Sequence, residues 1–109
     1  MWPGLPYGII YHMKARLVLK EKFTYKDGSI LELVIWKLPE PDTFRPHGIK
    51  YRLFYGSHGN CLVRYDNEKG KGDHRHIKDQ EEPYEFENVE KLIADFKHEV
   101  EKFRGERNE

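Results

Sequence analysis

Residues 15–38 read ARLVLKEKFTYKDGSILELVIWKL. Two alternating apolar runs flank an Asp-Gly pair, and this stretch decides the fold. Ala15, Leu17, Leu19 and Phe23 fall on one side of an extended segment, with Arg16, Lys20 and Lys22 on the other. Lys26-Asp27-Gly28 supplies a turn, because Asp-Gly tolerates the left-handed backbone of a tight hairpin. Ile30 to Leu38 is the most apolar run in the chain and is expected to be central. An antiparallel hairpin is the consequence.

Working outward, Leu38-Pro39 to Pro46 is a Pro-punctuated loop that cannot join a central ladder. Ile49 to Tyr55 forms a third strand, with Ile49, Tyr51, Leu53 and Tyr55 opposed to Lys50, Arg52 and Phe54. After the turn GSHGN, Cys61 to Tyr65 makes a fourth, with Leu62, Arg64 and Asp66 opposed to Val63 and Tyr65. His74 to Ile77 begins a short fifth strand, and Tyr84 to Phe86 reads as another fragment. Asn88 is a helix N-cap with Glu90 in the first turn; Val89, Leu92, Ile93, Phe96, Val100 and Phe103 follow helical spacing, and Gly105 ends the helix. The expected fold is α+β: an antiparallel four- to five-stranded sheet with one C-terminal amphipathic helix packed on one face. Residues 1–13 form a poorly ordered extension, 14–104 the domain and 105–109 a tail, with Met13 an alternative start.

The chain has 109 residues, of which 38% are hydrophobic, 35% charged and 14% aromatic, so one domain with a thin aromatic core is expected. That core is small enough for a homodimer or a partner protein to extend it. One cysteine excludes an internal disulfide and suits a reducing cytoplasm. No apolar run is long enough to cross a membrane. Charge is zero in sum but uneven. Phe44 to Lys78 holds eight Lys/Arg, three Asp/Glu and four His, whereas Asp79 to Glu109 holds five Lys/Arg and eleven Asp/Glu. A basic island with interleaved aromatics is compatible with RNA; the two halves can also simply attract each other.

The island contains RYDNEKGKGDHRH, Arg64 to His76. A strand runs into a Gly-rich polar loop and then into alternating residues. His74 and His76 point one way, and Asp73, Arg75 and Ile77 the other. Histidine shuttles protons near neutral pH, and Lys and Arg bind phosphate. A solvated hairpin loop explains the same composition. Paired histidines can also ligate a metal, but no HExxH or paired CxxC supplies further ligands, so neither a metal nor a cofactor is assigned.

The runs KARLVLKEKFTYKDGSILELVIWKLP, HGIKYRLFYG, RYDNEKGKGDHRHI and YEFENVEKLIADFKHEV resemble the TumE family of toxins, over roughly Lys14 to Glu101. The resemblance implies a small cytoplasmic toxin paired with an antitoxin that carries a DNA-binding domain, in a complex that represses its own operon.

Ribonuclease chemistry is expected by analogy with small toxins of similar build. His74 and His76 would share the acid and base roles, with Arg64 and Arg75 holding phosphate and Asp66 or Asp73 orienting a histidine. Lys71, Lys69, Arg52 and Lys50 would bind substrate; Tyr65 or Tyr51 would stack a base. Two alternatives stay open. One is a binding module that blocks its target. The other is a metal-dependent nuclease using Asp66, Asp73, His74 and His76.

Overall fold

The computed structural model describes residues 15–57, 59–68 and 70–107. The expectations for residues 1–13 and for Lys69 fall outside the described residues. Six strands form one antiparallel sheet in simple sequence order: β1 (Arg16–Thr24), β2 (Ile30–Lys37), β3 (Ile49–Ser57), β4 (Asn60–Asp66), β5 (His74–Ile77) and β6 (Gln80–Pro83). One helix follows, α1 (Val89–Arg107).

The Asp-Gly hairpin forms as read. Gly28 has φ +90°, and the Asp27 carboxylate accepts hydrogen bonds from the Ser29 amide (2.8 Å) and hydroxyl (2.6 Å). The facing of β1 is different from the simple alternation. Leu17 pairs with Trp36 and Leu19 with Ile35, so Val18 is a bulged residue. The bulge puts Leu17 and Leu19 on opposite faces, and Leu17 is left half exposed while Leu19 packs on the core. β2 lies one strand in from the edge rather than at the centre; β3 and β4 are central.

The sixth strand, Gln-Glu-Glu-Pro, has no intrinsic strand preference and was not expected. It forms because the two-residue turn at Lys78 and Asp79 folds it back on β5, pairing Arg75 with Glu82 and His76 with Glu81. Lys78 takes a left-handed φ of 56° to do so. Tyr84 to Phe86 is irregular instead of strand, although the Tyr84 amide donates to the Asp73 carbonyl at 3.1 Å.

Asn88 caps α1 through its Oδ1, which accepts from the Lys91 amide at 2.7 Å. The helix does not stop at Gly105 but continues to Arg107. Its Leu92, Phe96 and Val100 meet Leu33, Ile35, Tyr51, Leu53, Tyr55, Val63 and Tyr65 of the sheet in a buried core. Each such side chain contributes roughly 1.5–3 kcal/mol by leaving water. The core therefore lies wholly on one side of the sheet. The other side, with Lys50, Arg52, Phe54, Arg64 and His76, is open to solvent to varying degrees.

Candidate functional site

Strand register assembles the candidate site. Arg52 pairs with Asp66, Phe54 with Arg64, Asp66 with His74, Arg64 with His76 and His76 with Glu81. Alternation then brings Arg52, Arg64, Asp66, His74, His76 and Glu81 to the open face. A cleft of 440 Å³ lies there, lined by Arg52, Arg64, Asp66, Glu68, Lys71 and His74.

His74 is the most enclosed group of the cleft. Its Nδ1 lies 3.1 Å from the Gly72 carbonyl, which only accepts, so this nitrogen carries the ring hydrogen. Its Nε2 faces the Asp66 carboxylate at 3.0 Å and Glu81 at 3.2 Å. His76 is a quarter exposed, with its Nε2 3.4 Å from the same Glu81 oxygen. Lys71 donates to that oxygen at 3.1 Å. The Lys71 ammonium, with lesser help from His76 and His74, holds the Glu81 carboxyl below its ordinary range.

Asp66 is almost fully buried. Arg64 Nε lies 2.7 Å from its Oδ2, and His74 Nε2 lies 3.0 Å from its Oδ1. Yet Arg64 Nε and Asp66 Oδ1 are both buried without a hydrogen bond, because these close approaches lie off the N–H directions. Arg52 is more exposed, its nearest carboxylate being Glu32 at 3.9 Å. The like charges of this face are thus interleaved with Glu32, Asp66 and Glu81, as such a gathering requires.

Lys50 shares the face but stands beside Trp36 of β2, outside the cleft lining. Tyr65 and Arg75 are not part of the cleft. Both project to the helix side, where Arg75 Nη1 donates to the Tyr65 hydroxyl at 3.0 Å and Nε donates to Glu82 at 2.5 Å. Tyr65 is fully buried against Phe96 and Tyr84. Burial raises its phenol, outweighing the lowering effect of Arg75.

Asp73 also faces away from His74 and His76. It does bind a histidine, but that histidine is His47. Ile49 N–H donates to His47 Nδ1, so Nε2 carries the hydrogen and donates to both Asp73 oxygens, at 2.9 and 3.1 Å. The same carboxylate accepts from the Tyr51 hydroxyl (2.7 Å) and Asn67 Nδ2 (3.0 Å). Burial, then the Asp73 carboxylate, raises the Tyr51 phenol far above its ordinary range. Phe86 stacks on the His47 ring with centroids 4.0 Å apart. Asn67 is not a solvated turn residue: it is fully buried, bonding Tyr51 N–H and the Ile49 carbonyl as well. This network ties Asn67 and Asp73, at the two ends of the loop, to His47 and β3.

Sequence reasoning missed Glu81, which joins His74, His76 and Lys71. The signal was the short spacing HRHIKDQEEP. A two-residue turn at Lys78-Asp79 puts Glu81 opposite His76 and Glu82 opposite Arg75, each an opposite-charge cross-strand pair.

A small α+β domain with a helix on one sheet face and a charged histidine cleft on the other is a compact carrier for one reactive or binding surface. The family model described as Toxin TumE matches residues 9–104, so the chain belongs to the TumE toxin family. It is accordingly the toxin of a toxin–antitoxin module, with an antitoxin for its partner. No curated protein and no solved structure gives a significant match. Among the described residues, no helix is long and apolar enough to cross a membrane.

Proposed function

We propose that this toxin cleaves RNA at the open-face cleft by acid–base chemistry of its own side chains, with His76 as the proton-transfer group. The observation that carries the reading is His76 itself. Its side chain is a quarter exposed, lies near the Glu81 carboxylate, and stands beside a cleft lined by Arg52, Arg64 and Lys71. In this mechanism His76 takes the ribose 2′-hydroxyl proton, and the 2′-oxygen attacks the adjacent phosphorus. Arg52 and Arg64 stabilise the charge on the phosphoryl oxygens. Lys71 protonates the departing 5′-oxygen, leaving a 2′,3′-cyclic phosphate and a 5′-hydroxyl. His74, enclosed and bonded through Nδ1 to the Gly72 carbonyl, acts as a positioning residue beside Glu81 instead of sharing the proton transfer. Arg75, Asp73 and Tyr65 support the sheet from the helix side.

The antitoxin, in this reading, carries a DNA-binding domain and works with the toxin in the cytoplasm as an operon repressor. A homodimer would extend the small core.

Purified protein incubated with total RNA in chelator should cleave it. His76→Ala should lose about 10²–10⁴-fold in rate while His98→Ala, on the exposed side of α1, keeps full activity. Undiminished cleavage by a folded His76→Ala protein would remove His76 from the mechanism. Absence of cleavage by a folded, growth-arresting wild type would favour a toxin that acts by binding.

A further inference from the structure

The side-chain atoms of His74, His76 and Glu81 converge more closely than proton transfer by His76 requires. One ligand atom from each lies within 4.8 Å of the others. Glu81 Oε2 is 3.2 Å from His74 Nε2 and 3.4 Å from His76 Nε2. Ligands about 2.0–2.1 Å from a tetrahedral Zn²⁺ stand about 3.4 Å from one another, so both spacings are those of two ligands on one ion.

The surroundings of His74 agree. Its Nδ1 hydrogen is given to the Gly72 carbonyl, which fixes the tautomer with Nε2 free to coordinate. The almost fully buried Asp66 places an oxygen without a hydrogen bond 3.0 Å from that same Nε2. Asp66 thus adds negative charge where a cation would sit. The backbone supplies the rest of the rigidity. His74 and His76 stand two apart on β5, and Glu81 is directly opposite His76 on β6. Lys71, the competing cation on Glu81, has a mostly exposed side chain that is free to swing into solvent.

We propose that His74 Nε2, His76 Nε2 and Glu81 Oε2 form a binding site for a transition-metal dication, with Zn²⁺ the best-fitting by ligand type and spacing. Two imidazoles and one carboxylate leave the fourth position of a tetrahedral ion for water or a substrate oxygen. Hard Mg²⁺ and Ca²⁺ bind such a nitrogen-rich set poorly. An ion held there uses the lone pair of His76 Nε2, so it blocks proton transfer by that residue. This consequence rests on the proposed ribonuclease mechanism; the binding does not.

The test is calorimetric titration of Zn²⁺ into the full chain after chelator dialysis. One equivalent should bind to the wild type, and His76→Ala and Glu81→Gln should each weaken it at least about tenfold. Both residues are partly exposed, and circular dichroism verifies that the variants are folded. Cys61→Ser and His98→Ala should bind as the wild type does. No stoichiometric binding, binding unchanged in both site variants, or loss in Cys61→Ser would overturn the proposal. A separate RNA assay tests the consequence. One equivalent of Zn²⁺ should suppress cleavage. Stimulation of cleavage would overturn the blocking role and the metal-free mechanism together, and would leave the calorimetric result standing.

Discussion

Replacing Asp73 with alanine separates a structural carboxylate from a catalytic one. Asp73 sits beside His74 in the chain, and a histidine-orienting role is the natural reading of that neighbourhood. Its carboxylate instead accepts from His47, Tyr51 and Asn67. Tyr51 and Asn67 are fully buried, whereas the His47 side chain is partly exposed and can reach water. The truncation therefore strands two buried donors, at roughly 1–3 kcal/mol each. A loss of about 4 kcal/mol is expected, a large part of the roughly 5–15 kcal/mol that holds a small domain together. With a urea m-value of about 2 kcal/mol/M, the unfolding midpoint should fall by about 2 M. Equilibrium unfolding followed by circular dichroism measures this directly. If the toxin acts as the ribonuclease proposed above, cleavage per folded molecule, assayed where the variant is still folded, should change little. A variant as stable as the wild type but inactive would refute the structural assignment and return Asp73 to the catalytic machinery.

Acid should weaken the fold in part through Glu81. Its carboxyl is held below the ordinary 4.5, chiefly by Lys71, so the folded state binds fewer protons than the unfolded chain does. That stabilising contribution is complete above pH 4.5 and fades as pH falls through the lower folded value. Glu81→Gln should therefore flatten the acid side of a stability-versus-pH curve, and an unchanged slope would refute the pairing. Phe96→Ala, which empties a fully buried position between α1 and Tyr65, should cost about 3–5 kcal/mol by thermal or chemical denaturation.

Local patterns were legible wherever one side of an element meets water and the other meets the core. The period-two runs of β2, β3 and β4, the Asp27-Gly28 turn, the Asn88 cap and the helical stripe through Leu92, Phe96 and Val100 all follow from the order of residues. So does the opposition of His74 and His76 to Arg75, since neighbouring strand residues must face opposite ways. Three features needed the assembled sheet. The bulge at Val18 shifts the facing of β1, because pairing with Trp36 and Ile35 decides which residue is extra. β6 exists because β5 offers it a ladder, despite a composition without strand preference. The cleft depends on which face α1 covers: Tyr65 and Arg75 went under the helix, while Glu81 arrived beside two histidines. Sequence by itself determined β2 to β5 with their faces, the cap and apolar stripe of α1, and the family; the tertiary structure decided the facing of β1, the sixth strand and which charged groups share a surface. The physical reason is range. Alternation and capping act over a few neighbouring residues, whereas a site is made by strand register and layer packing between residues far apart in the chain.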